Sequence, residues 1–283
     1  MKQLSTHNAA HIYVACRSRD KAEAAISSIK REIPSACLLS FLELDLASFD
    51  SIKAVAADFN DKESCLDILV NNAGIMMVPE GLTREGYEVQ FGTNVMGTAL
   101  FTQLLLPRLR DTARINTQAR VAILCSAAHT RAPSDVHDFD KLKADMRERH
   151  TTARYTTSKL ADIHYAQALA KREHAVRIIP VHPGMVATNL HHASTGIFLK
   201  PFLNVAVGIF ATPVEKGALC QVWAAVSPDA RTGQYYGPVG KEETGSKLVS
   251  PGWCTAGRTV SMDSDRTRGP CWNYCVAVKD FPL

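Results

Sequence analysis

Leu66-Asp67-Ile68-Leu69-Val70-Asn71-Asn72-Ala73-Gly74 sets the frame in which the rest of the chain is read. A compact apolar run, Leu66 to Val70, passes directly into a polar exit that ends on glycine. A short apolar run bounded in this way predicts a strand buried on both faces. The arrangement recurs on either side. His11 to Arg17 is a short β-rich run, and Leu38 to Leu44 is apolar and ends at Asp45-Leu46. Arg120 to Cys125 ends at Ser126, and Val176 to Val181 leads into His182-Pro183-Gly184. Helical spacing fills the intervals. Ser18 to Glu32 sets Ala22, Ala25, Ile26 and Ile29 on one side, and Ser48 to Asn60 does the same with Ile52, Val55, Ala56 and Phe59. Tyr87 to Leu109 reads as a long helix carrying Asn94, and a helix through Tyr155 runs on from Asp162 to Arg172. Strands alternating with helices predict βαβ units, a parallel sheet and an α/β fold. Arg17, Asp45, Asn71, Ser126 and Pro183 stand just after the strands, which is where open α/β sheets bind their ligands.

Composition narrows the function classes. The 283 residues suffice for one large α/β domain or two small ones. With 46% hydrophobic and 21% charged residues the chain reads as globular, and a dispersed net charge of +4 argues against a nucleic-acid partner. No run approaches the roughly 20 apolar residues of a membrane span. The nearest, Gly196 to Ala211, is short and carries Lys200 and Pro201. Met1 to His11 is polar, so no secretory signal is expected. Cys16, Cys37, Cys65, Cys125 and Cys220 are scattered among apolar neighbours, as expected of buried thiols in a reducing, cytoplasmic setting. Cys254, Cys271 and Cys275 lack a four-ligand zinc spacing, and His7 with His11 lacks an acidic third ligand, so no metal is expected.

Chemistry concentrates in Arg154-Tyr155-Thr156-Thr157-Ser158-Lys159-Leu160-Ala161. Tyr155 and Lys159 lie four apart, one turn from each other on the same helix face. A phenol is a poor acid near neutral pH, with a reference value of about 10. A neighbouring ammonium favours the phenolate, which suits a proton donor and acceptor in carbonyl/alcohol interconversion. The alternative is a solvated helix whose Tyr and Lys merely share a face.

Taken together, Asn71-Asn72-Ala73-Gly74, Asn94, Ser126, Tyr155 with Lys159, and Pro183-Gly184 with Thr188 resemble the short-chain dehydrogenase/reductase family, its retinol-dehydrogenase-like members in particular. The resemblance spans about Lys2 to Lys247. It implies a Rossmann-type doubly wound parallel sheet and a catalytic set of four. Tyr155 would exchange the proton, and Lys159 would hold the nicotinamide ribose and tune Tyr155. Ser126 would bind the substrate oxygen, and Asn94 would position a water next to Lys159. The plainer readings are a cap for Ser126 and a surface position for Asn94. Cofactor contacts are implied at Asp45, Leu46, Asn71, Ala73, Gly74, Tyr155, Lys159, Pro183, Gly184 and Thr188. An NAD enzyme commonly places an acid at the end of the strand before Arg17, for the ribose 2′-hydroxyl. Here Cys16 fills that position, followed by Arg17 and then Arg19, and a guanidinium suits a 2′-phosphate. NADP is therefore the expected cofactor. The helices of Asn94 and Tyr155 would form the interface of a homodimer.

Two departures matter. The family opens with a strand and a glycine-rich turn that cradles the pyrophosphate, and Met1-Lys2-Gln3-Leu4 looks like the second half of the helix behind that turn. The first βα half-unit is thus expected to be missing from a sheet ordered 3-2-1-4-5-6. Neighbouring strands would then lose about ten ladder partners, at about 1–3 kcal/mol per unsatisfied buried group. The second departure is the stretch from Ser250 onward, which mixes Pro, Gly, Trp and Cys without helical period. The expected organisation is an incomplete oxidoreductase domain over 1–249 and an irregular tail over 250–283. The expected substrate is small and apolar, because Ile197, Phe198, Leu199, Phe202, Leu203, Val205 and Phe210 follow Thr188. The competing reading is an inactive truncated relative that serves as a binding or dimerisation partner.

Overall fold

The computed structural model describes residues 1–6, 9–186, 212–244 and the backbone of 274–278. Strands β1 (His11–Cys16), β2 (Leu38–Glu43), β3 (Ile68–Asn71), β4 (Arg120–Leu124), β5 (Arg177–Val181) and β6 (Tyr274–Val278) form one parallel sheet. Their order is β2-β1-β6-β3-β4-β5. Among the described residues the α-helices are α1 (Arg19–Glu32), α2 (Phe49–Lys62), α3 (Val89–Phe91), α4 (Thr98–Ala113), α5 (Phe139–Leu142), α6 (Thr151–Arg172) and α7 (Val214–Val226).

Side-chain alternation along the strands builds two cores. On one face Tyr13, Ala15, Leu69, Val121, Ile123 and Ile178 pack against Phe59 of α2, Leu105 and Leu109 of α4, and Ile163 of α6. On the other, Ile12, Val14, Val70, Ala122 and Ile179 meet Ile26 of α1 and Cys220 and Ala224 of α7. Helices on both faces bury β1, β3 and most of β4 and β5, which is why these strands read as apolar runs, whereas the edge strand β2 stays exposed at Leu38 and Glu43. Helix starts follow their caps. Ser18 accepts from the Lys21 amide ahead of α1, and Ser48 accepts from the Ser51 amide ahead of α2.

The central vacancy expected from the sequence is absent. β6 lies between β1 and β3, with Ile12 and Ile68 both in register with Cys275 and Tyr13 and Leu69 both in register with Val276. The expectation of an irregular tail over 250–283 is therefore corrected at Tyr274–Val278, which are strand; the boundary at 249 lies outside the described residues. The signal was available. Tyr274-Cys275-Val276-Ala277-Val278 is a short apolar run between Asn273 and Lys279, of the length of a fully buried strand.

The expected long helix Tyr87 to Leu109 is also modified. A six-residue π-helical turn, Gly92–Gly97, separates α3 from α4 and carries Asn94. Glycine is required at its ends by close approach. A Cβ on Gly92 would overlap Thr83, and one on Gly97 would overlap the Leu46 carbonyl oxygen.

Candidate functional site

β4 delivers Ser126 to the carboxyl edge of the sheet, and α6 places Tyr155 and Lys159 beside that edge. Lys159 is 5% exposed and Tyr155 7%. The Lys159 ammonium donates to the Leu124 carbonyl at 2.9 Å and to Asp162 Oδ2 at 2.9 Å. Burial pulls this ammonium down, but Asp162 and Tyr155 more than offset it, so its pKa stands above the usual lysine range. The solvated-helix alternative does not hold, because residues 154–164 of α6 are buried throughout.

The π turn aims Asn94 at the same place. Asn94 Oδ1 accepts from the Ile75 amide at 2.8 Å, and its Nδ2 donates to the Ile75 carbonyl and to Ser158 Oγ, each at 3.0 Å. Asn94 is thus 1% exposed rather than a surface residue. It pins the loop after β3 to α6. That loop passes close by: a Cβ on Gly74 would stand 3.2 Å from Asn94 Oδ1 and 3.6 Å from Lys159 Nζ. Ser126 is a cap, as its plainer reading held, with Oγ accepting from the Ala128 amide at 3.1 Å. Accepting this bond leaves the hydroxyl proton available to donate.

The remaining sequence-marked residues are placed as follows. Arg17 is exposed at the exit of β1, and Arg19 lies over the Phe41 ring at 4.6 Å. Asp45 is half-buried, with Oδ1 accepting from the Ala47 amide, and Leu46 is buried beneath Gly97. Asn71 points its amide into α4, donating to Thr102 Oγ1 at 2.8 Å, so its side chain braces strand against helix. Ala73 is buried. Pro183 opens the turn after β5, and Gly184 has φ of 76°. Thr188 and the apolar residues 197–210 lie outside the described residues.

Sequence reasoning missed two groups. Asp162 is three residues beyond Lys159, a spacing that puts it on the same helix face. Behind Ser126, His129 Nδ1 is 2.8 Å from the Ser126 carbonyl, and its ring stands edge-on to buried Tyr235. Tyr235 in turn borders His182, whose Nε2 is 3.5 Å from Glu243. Burial lowers the His182 pKa, with Glu243 opposing.

The model of the short chain dehydrogenase family matches residues 1–134. A short-chain dehydrogenase/reductase of Armillaria gallica is 38% identical over 233 residues, covering 81% of this chain and 72% of that protein. This chain belongs to the short-chain dehydrogenase/reductase family. Human retinol dehydrogenase 14 is 34% identical over 252 residues, covering 83% of this chain and 72% of that protein. Among solved structures, a protein from Mycobacterium paratuberculosis superposes with a TM-score of 0.65 at 27% identity, covering 89% of this chain and 82% of that one. This short-chain dehydrogenase/reductase has no described helix long and apolar enough to cross a membrane.

Proposed function

We propose that this chain is an NADP-dependent oxidoreductase interconverting a carbonyl and an alcohol on a small apolar substrate. The observation that carries the reading is the convergence at one sheet edge of buried Tyr155 and Lys159 with Asn94, tied to their helix through Ser158. Residues at both ends of the site suit a dinucleotide. Gly74 leaves backbone rather than side chain beside Lys159, and Arg17 at the exit of β1 offers a guanidinium to a 2′-phosphate. The bound nicotinamide would supply or accept hydride.

The protein's own part is proton handling. Tyr155 gives a proton to the substrate oxygen in reduction and takes it back in oxidation. The Lys159 ammonium sets a positive charge near Tyr155. Ser126 donates its hydroxyl proton to the substrate oxygen. The Asn94 amide is committed to Ile75 and Ser158, so its share in ordering a water falls to the backbone of the π turn. The apolar substrate is supported by the run at 197–210 and by a relative that bears the name retinol dehydrogenase. Tyr155→Phe should lose turnover at least about 100-fold, the usual share of a general acid/base, while NADPH binding by fluorescence titration changes little. Substantial carbonyl reduction by this variant would remove Tyr155 from the chemistry.

One observation favours the second reading, a catalytically inactive binding partner. β6, late in the chain, holds the slot that the family order gives to its first strand. On that reading NADPH would bind only in the millimolar range or not at all.

A further inference from the structure

We propose that Asp162 is a positioning residue for Lys159, clamping its ammonium against the end of β4 and limiting the positive charge that it presents to Tyr155. The proposal deepens the oxidoreductase reading and rests on it for its catalytic consequence.

The geometry is a two-point clamp. Lys159 Nζ has Asp162 Oδ2 on one side and the Leu124 carbonyl on the other, each at 2.9 Å. An ammonium has three protons to donate. Two are committed to the protein, leaving one for a ribose hydroxyl or Tyr155. The pair is enclosed, Asp162 being 1% exposed, so water screens it little. Asp162 Oδ1 has no hydrogen-bond partner, which leaves the carboxylate compensated through Oδ2 and Lys159. Replacing the lysine's clamp by a neutral group would therefore be felt directly at the ammonium.

The groups that share this pocket are Cys125 from the end of β4 and Tyr155, Lys159 and Tyr165 of α6. Burial pushes the Cys125 thiol and the Tyr165 phenol up, keeping both neutral near pH 7. Lys159 is the cation of the set. Burial also pushes the Asp162 carboxyl up to about 6, with Lys159 opposing the rise. As a carboxylate, Asp162 cancels part of the lysine's field at Tyr155; once protonated it does not. With Asn at 162 the anion is gone at every pH. Tyr155 then faces an uncancelled ammonium, and the ammonium itself loses the partner that holds its pKa high.

The test uses the full chain and Asp162→Asn, with Asp162→Ser as a smaller neutral replacement should the first fail to fold. The ammonium signal of Lys159, observed by ¹H–¹⁵N NMR without cofactor and assigned with Lys159→Arg, should disappear at a pH about one unit or more lower in the neutral variant than in the parent. With NADP and an alcohol, the rising limb of the kcat/KM profile should move about half a unit or more to lower pH. An ammonium signal that persists over the same pH range in both proteins overturns the clamp. A limb that stays in place while kcat falls reduces Asp162 to packing, and also overturns it. Absence of turnover in parent and variant alike would sink the oxidoreductase reading, and the NMR comparison would still decide the clamp.

Discussion

Gly97→Ala sets two effects of opposite sign against each other. By helix propensity alone, alanine in a helical segment should stabilise by about 1 kcal/mol relative to glycine. Gly97 has ordinary helical angles, φ −64° and ψ −46°, so no backbone strain offsets that gain. The added Cβ would, however, overlap the Leu46 carbonyl oxygen and stand 3.0 Å from its carbonyl carbon. These are backbone atoms and cannot turn aside. Their turn is held by the Asp45 amide donating to Ser51 Oγ, the Ala47 amide to Asp45 Oδ1, and the Ser48 amide to the Asp45 carbonyl. Overpacking of this kind costs about 1–3 kcal/mol, and backbone on both sides places it at the upper end. The net expectation is a loss of about 2 kcal/mol, or roughly 4–8 °C in Tm for a domain of this size. Thermal unfolding followed by far-UV circular dichroism measures it. Gly81→Ala is the control, since nothing lies within 4 Å of its added Cβ, and its effect should stay within about 0.5 kcal/mol. A Gly97→Ala protein that melts at or above the parent would refute the close approach of the π turn to the Leu46 strand exit.

Arg17→Ala, and separately Cys16→Asp, should each shift the ratio of kcat/KM values from NADP toward NAD, the first by removing a phosphate partner and the second by adding a repulsive carboxylate. An unchanged ratio in both would place recognition of the 2′ end elsewhere. Val276→Pro should lower Tm, because proline removes a ladder donor in the middle of the sheet and leaves a buried carbonyl short of a partner, at about 1–3 kcal/mol. An unaltered melting curve would mean that the 274–278 segment does not occupy the central slot in solution.

Much of this protein is local, and what is local was legible in the residues. The apolar runs that became β1 to β5, the caps at Ser18 and Ser48, and the helix faces of Ile26, Ile52 and Phe59 with their 3.6-residue period can all be read from short stretches of sequence. The Tyr155–Lys159 pairing follows from the same arithmetic. What required the folded chain is whatever depends on partners distant in sequence. No local pattern pairs Tyr13 with Val276, yet that register closes the sheet and fills the gap that Met1-Lys2-Gln3-Leu4 suggested. The Asn71 side chain gained its strand-to-helix role only when α4 placed Thr102 within hydrogen-bonding reach of its amide. Asn94 became an interior strut once close approach of Gly92 and Gly97 to Thr83 and Leu46 set the π turn. Asp162 sits one turn from Lys159 in any helix, but only burial on the β4 side makes their charges strongly felt. The reason is the same throughout: the backbone sets spacing, whereas exclusion of water and the choice of neighbour come from elements that meet only when the sheet is assembled.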